Sequence, residues 1–108
     1  MIKKDLVVVG GGPAGMAAAL SAYENGIRNI LLIERDQYIG GILNQCIHTG
    51  FGLKYFGETL SGPEYADRFI KKITAIPKIE ISLQSFVVDL KADKTLTILK
   101  PGKLETIK

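Results

Sequence analysis

Three glycines, Gly10, Gly12 and Gly15, offer the first chemical possibility in this chain. Their spacing is G-x-G-x-x-G, directly after the apolar run "DLVVV" and just before the alanine-rich stretch that follows Pro13. A glycine turn between a strand and a helix can hold a pyrophosphate. The first glycine permits the sharp turn, the second leaves no side chain where the phosphates approach, and the third lets the helix lie close to the strand. The helix start adds unpaired N–H groups and the positive end of its dipole. Glu34 offers the second possibility. A carboxylate about 20 residues beyond such a turn can accept hydrogen bonds from both hydroxyls of a ribose. It would repel a 2′-phosphate, which argues against NADP here, although Arg35 next to it could accommodate one.

The third possibility is "GGILNQCIH", Gly40 to His48, which holds the chain's single cysteine, Cys46, and single histidine, His48. Cys46 is open to two readings from its type alone: a small buried hydrophobe or a thiol whose reactivity depends on its surroundings. His48 has an ordinary pKa near neutrality, so it could act as an acid or base, or serve as a structural hydrogen-bonder. On a strand the two side chains would share a face, and on a helix they would diverge. One cysteine excludes an internal disulfide and a cysteine-rich zinc site, and no residue cluster marks a metal site.

These residues need elements to place them. Asp5–Val9 reads as a buried parallel strand, apolar on both faces. Pro13 suits a first helical turn, "AGMAAALSAYENG" is rich in good helix formers, and Gly26 is placed to end the helix. "NILLIE", Asn29–Glu34, is a second strand, completing a βαβ unit. A glycine-rich segment then runs from Gly40 to about Gly62, too long to be mere connection in a compact domain. "GPEYADRFIKKITA" carries Tyr65, Phe69, Ile70 and Ile73 at helical spacing, and Pro77 stops it. Tyr55, Phe56, Tyr65 and Phe69 are expected to pack as core between this helix and the segment before it. Ile79–Leu83 alternates as a strand, and "FVVDLKADKTLTILKPGKLETIK" reads as up to three antiparallel strands with turns at Lys91–Lys94 and "KPGK".

The totals agree with one small globular unit. The chain has 108 residues, 46% of them hydrophobic, with a net charge of +3. Its lysines are scattered, without a basic stripe interleaved with aromatics, so nucleic-acid binding has no support. The apolar run Leu6–Val9 is too short for a signal peptide or a membrane span, and the expected setting is cytoplasmic, away from membranes.

The segment "VVVGGGPAGMAAALSAYENGIRNILLIERD", followed by "GGIL", resembles the N-terminal FAD-binding segment of the two-dinucleotide-binding-domain flavoproteins. That family includes thioredoxin reductase and the pyridine nucleotide–disulfide oxidoreductases. The resemblance implies an α/β, Rossmann-like FAD/NAD(P)-binding fold, incomplete here, with a parallel sheet and a small antiparallel β-meander. It implies FAD contacts from Gly10, Gly12, Pro13, Ala14 and Gly15 at the first turn, and from Glu34 and Arg35 after the second strand. Gly40 and Gly41, with Ile42 and Leu43 after them, resemble the family's second glycine signature beside the flavin's ribityl chain and pyrophosphate. Ser85–Val87 matches the backbone that contacts adenine, so Val87 joins the candidate residues.

The stretch "GGILNQCIHTGFGLKYFGETLSGPEY" is more narrowly similar to an anaerobic branch associated with glycerol-3-phosphate metabolism. It departs from two other patterns. The disulfide reductases carry C-x4-C just after the paired glycines, and the first of those cysteines is missing. Thioredoxin reductase has a glutamine directly after the pair, where this chain has Ile42. Cys46 therefore stays open as a buried hydrophobe, a flavin-proximal thiol or the partner of a cysteine elsewhere.

In the resembled family another parallel strand and an NAD(P)-binding domain follow, so residues 1–108 are expected to be the N-terminal part of an FAD-binding domain. The implied function is an FAD-dependent oxidoreductase exchanging electrons with NAD(P)H or a small organic substrate, with the piece itself inactive and open to self-association. The alternative is a non-catalytic ADP- or FAD-binding module, or a subunit completed by a partner chain.

Overall fold

The computed structural model describes residues 2–41 and 62–107. The elements follow in the order β1 (Leu6–Val9), α1 (Pro13–Glu24), β2 (Ile30–Ile33), α2 (Gly62–Thr74), β3 (Ile79–Ser82), β4 (Phe86–Leu90), β5 (Leu96–Lys100) and β6 (Lys103–Ile107). The first three strands form a parallel sheet in the order β1-β2-β3, and the last three an antiparallel sheet in the order β4-β5-β6. No helix among the described residues is long and apolar enough to cross a membrane.

The central strand shows why the layers stack as they do. All four residues of β2 are buried, and successive side chains of a strand point to opposite faces. Ile30 and Leu32 pack with Met16, Ala19 and Leu20 of α1 and with Phe69 and Ile73 of α2. Leu31 and Ile33 pack with Leu96, Ile98 and Ile107 of the meander. The parallel sheet is thus sandwiched between two helices on one face and the antiparallel sheet on the other. Each fully buried Ile or Leu contributes on the order of 1.5–3 kcal/mol. Phe69 is a core residue, whereas Tyr55, Phe56 and the Tyr65 side chain lie outside what the structure describes.

The helices end where local chemistry ends them. Beyond α1, Gly26 takes φ +99°. Its N–H donates to the Tyr23 carbonyl and that of Ile27 to Ala22, at 3.1 and 3.0 Å. This pairing with a left-handed glycine satisfies the last carbonyls of a helix. Arg28 adds a hydrogen bond to the Tyr23 carbonyl at 2.8 Å and lies 4.2 Å from the centre of the Tyr23 ring. The meander turns form at Lys91–Lys94, where the Lys94 N–H meets the Lys91 carbonyl at 3.0 Å, and at Gly102, with φ +81°.

Both sheets are open rather than closed into a barrel. β1 is an outer strand of the parallel sheet, and Val9 at its end is 62% exposed. β4 is an outer strand of the meander, with a register irregularity between Val87 and Asp89.

Candidate functional site

The parallel register aligns Val9, Ile33 and Ser82 at the carboxyl ends of β1, β2 and β3. In open parallel sheets this end is where ligands collect. A cleft of about 280 Å³ opens there, lined by Val9, Gly10, Ile33, Glu34, Arg35, Ser85, Phe86 and Val87.

The glycine turn forms one wall. Gly10 takes φ +106°, a conformation natural to glycine, and its N–H donates to the Ile33 carbonyl at 2.7 Å. Gly12 caps α1 in extended conformation with no side-chain cap, and Pro13 opens the helix. The first helical hydrogen bond runs from the Met16 N–H to the Gly12 carbonyl at 3.0 Å. The N–H groups of Ala14 and Gly15 therefore have no backbone acceptor among the described residues, as expected in a first helical turn. A Cβ built on Gly12 meets nothing within 4 Å, whereas one on Gly15 would stand 1.7 Å from the Gly10 carbonyl oxygen. The two glycines thus do different work: Gly12 leaves space open, and Gly15 allows the helix to cross the turn.

Glu34 is only 7% exposed, and its carboxylate is the hub of the site. Its Oε1 accepts the Gly11 N–H at 2.8 Å and its Oε2 the Asp36 N–H at 2.8 Å. One carboxylate so joins the glycine turn to the chain leaving β2. Each oxygen has further lone-pair capacity, so the group can still accept from a ligand hydroxyl. Arg35 lies exposed at the rim of the same cleft.

The second glycine pair docks on the first. The Gly40 N–H donates to the Gly11 carbonyl at 2.7 Å. Gly40 and Gly41 take φ +124° and +56°, and a Cβ on Gly41 would lie 3.0 Å from the Gly12 Cα. The structure therefore brings Gly10, Gly12, Pro13, Ala14, Gly15, Glu34, Arg35, Gly40 and Gly41 around one helix start, with Val87 across the cleft. Ile42, Leu43, Cys46 and His48 lie outside the described residues.

Gly11, the middle residue of "GGG", escapes a reading of the sequence because the motif leaves that position free. Its Cβ would stand 2.6 Å from Ile39 Cγ2 and 3.1 Å from Glu34 Oε1. Ile39, buried beneath that turn, escapes it too, since no periodic signal marks it.

This geometry fits a dinucleotide. Helix-start N–H groups without a backbone acceptor among the described residues suit a pyrophosphate, a Cβ on Gly12 would meet open space, and a carboxylate such as that of Glu34 suits ribose hydroxyls. The outer edge of β4 offers backbone donors and acceptors to a base.

The family described as FAD dependent oxidoreductase matches residues 5–101. Hydrogen cyanide synthase subunit HcnB of Pseudomonas protegens is 33% identical over 97 residues, covering 86% of this chain and 20% of that protein. Among solved structures, thioredoxin reductase of Lactococcus lactis superposes with a TM-score of 0.74 at 26% identity, covering 97% of this chain and 33% of the reductase. L-proline dehydrogenase from P. horikoshii reaches a TM-score of 0.81 at 21% identity over 98% of this chain and 21% of that one, a likeness of fold. The chain spans about a fifth or less of the length of the curated relatives it matches.

Proposed function

Because the chain belongs to the family of FAD dependent oxidoreductases, we propose that residues 1–108 form the N-terminal part of an FAD-binding domain and hold the ADP half of FAD. The carrying observation is the joint made by Glu34, whose carboxylate binds the Gly11 and Asp36 N–H groups at 2.8 Å each. This joint supports a reading in which a ribose acceptor and a phosphate turn act side by side. In this reading the N–H groups of Gly12, Ala14 and Gly15 receive the pyrophosphate. Glu34 takes the ribose hydroxyls and Arg35 closes the rim. The Phe86–Val87 backbone meets adenine, and Gly40 and Gly41 lie beside the phosphates, with Ile42 and Leu43 kept as further candidates from the resemblance. FAD, when bound, supplies the electron-transfer chemistry. These residues supply binding and orientation.

The rest of the reaction belongs to the longer protein. Electrons would pass between the flavin and NAD(P)H or a small organic substrate. The carboxylate at Glu34 disfavours a 2′-phosphate, so the nucleotide at this turn is FAD rather than NADP. The narrower placement, in the glycerol-3-phosphate-associated branch, rests on the Gly40–Tyr65 resemblance. Cys46 and His48 remain the candidates for a role near the flavin. Self-association is proposed from the exposed end of β1, where Val9 is 62% exposed.

The test is the visible absorption spectrum of the purified protein, with the released nucleotide identified by mass, alongside an ADP titration. Flavin bands with released FAD, or saturable ADP binding by colourless protein, support the reading. A protein that carries no flavin and does not bind ADP overturns it.

A further inference from the structure

The turn between β3 and β4 carries two hydroxyls to which the nucleotide reading gives no role. Ser82 ends β3 and Ser85 precedes β4, and they are 7% and 1% exposed. Their Oγ atoms lie 2.8 Å apart, and the Ser85 hydroxyl also donates to the Leu83 carbonyl at 2.8 Å. A hydroxyl has one hydrogen. With that of Ser85 directed to Leu83, Ser82 must be the donor to Ser85. The result is a directed chain, from Ser82 to Ser85 to the Leu83 carbonyl.

The same turn is tied to the end of β2. The Glu34 N–H donates to the Ser82 carbonyl, the Ser85 N–H to the Glu34 carbonyl and the Gln84 N–H to the Asp36 carbonyl, each at 2.9 Å. Between these ties Gln84 takes φ +50°, a region side-chain-bearing residues occupy only when their surroundings hold them there. Phe86 and Val87 leave this turn as the start of β4 and line the cleft opposite Glu34.

We propose that the Ser82–Ser85 hydroxyl pair is a positioning element that sets the purine selectivity of the cleft. The inference rests on the nucleotide reading above. A buried hydroxyl is costly unless bonded, so the pair favours the one turn conformation in which both bonds are made. That conformation fixes the Phe86–Val87 backbone edge relative to the Glu34 carboxylate. A backbone edge tells adenine from hypoxanthine by polarity. Adenine presents an amino donor beside a ring-nitrogen acceptor, and hypoxanthine presents a carbonyl acceptor beside an N–H donor. Hydrogen bonds weaken steeply with misalignment, so a loosened turn loses this discrimination while the phosphate turn, held by the Glu34 carboxylate rather than by these hydroxyls, keeps its grip.

The experiment measures ADP and IDP dissociation constants for the chain and for Ser82→Ala, Ser85→Ala and the double variant, with folding followed by circular dichroism. The unmodified protein is expected to prefer ADP. Ser85→Ala removes both bonds and should weaken ADP about tenfold while leaving IDP nearly unchanged. Ser82→Ala removes one bond and should narrow the preference less. The double variant should resemble Ser85→Ala, since the two hydroxyls act as a unit. Equal losses for ADP and IDP would mean a merely structural role and overturn the inference, as would an unchanged ADP-to-IDP ratio in folded variants. If Ser85→Ala does not fold, the ratio in Ser82→Ala decides by the same criterion. Failure of the unmodified protein to bind either nucleotide overturns the nucleotide reading and the inference with it. Binding with an unaltered ratio in the variants overturns the inference alone.

Discussion

Replacing Gly12 and Gly15 separately by alanine should divide ligand binding from folding, because the two glycines face different surroundings. At Gly12 an added Cβ meets no atom within 4 Å, and the backbone, at φ −77° and ψ −169°, is open to any residue. Alanine is a poorer N-cap than glycine by less than about 1 kcal/mol, and its stiffer unfolded chain returns about 0.4–1 kcal/mol. The two effects nearly cancel, so Gly12→Ala should melt within about 5 °C of the unmodified chain. Its methyl group nevertheless occupies the space over the helix start. Losing two hydrogen bonds to a charged phosphate, at about 1.5–3 kcal/mol each, should weaken ADP at least 100-fold. At Gly15 the added Cβ falls 1.7 Å from the Gly10 carbonyl oxygen and 2.9 Å from its carbon. The helix and turn must separate, at a cost of about 1–3 kcal/mol or more, and the melting temperature should fall by at least about 5 °C. Thermal denaturation by circular dichroism and ADP titration calorimetry on the same samples read both effects. Gly12→Ala protein that binds ADP normally would refute the phosphate assignment. Gly15→Ala protein that melts normally would refute the close crossing of helix and turn.

Other perturbations test the remaining parts. In Glu34→Gln, one backbone N–H of Gly11 or Asp36 must face an amide NH₂, which should cost about 1–3 kcal/mol of stability and weaken ADP binding; an unchanged melt and affinity would show that the carboxylate joint is not structural. Ile73, fully buried between α2 and the parallel sheet, should cost about 2–5 kcal/mol when cut to alanine, measured by urea unfolding, and a loss under about 1 kcal/mol would place it outside the core. Glu105 accepts from Lys100 and Lys103 at 3.0 and 3.1 Å, and these hydrogen bonds hold its carboxyl below the usual carboxylate range. A lowered folded value means that stabilisation is present at neutral pH and is lost as pH falls through that value. Melting at pH 7 and pH 3 should therefore differ less in Glu105→Gln than in the unmodified chain, and an identical difference would discount the contact.

Much of the frame is local, and so it was legible in the residues. "DLVVV", "GGGPAG" and "NILLIE" specify strand, turn, helix and strand by apolar runs and glycine placement within about 30 residues. Gly26 ended α1 as its type foretold, although the helix stops at Glu24 and Asn25 is the cap. The meander followed from two turn signals. The apolar run Asp5–Val9 reads as a strand buried on both faces, yet β1 lies at the edge of its sheet, half-buried, with Val9 exposed; the strand covered on both faces is β2. That α1 and α2 share one face, and the meander takes the other, depends on contacts far apart in the chain.

The site divides along the same line. Residue type and spacing alone pointed to Gly10, Gly12, Gly15 and Glu34, because phosphate approach and ribose recognition need particular groups at short separations. Tertiary structure decided what those groups do to one another. It bent Gly40 and Gly41 back onto Gly12, set Ile39 beneath Gly11, and turned the Glu34 carboxylate onto two backbone N–H groups. It also joined Ser82 to Ser85 across a turn held by Gln84. A motif reports what a backbone can permit. Which donor meets which acceptor is settled only when β1, β2 and β3 are in register and buried hydroxyls and carboxylates must find partners.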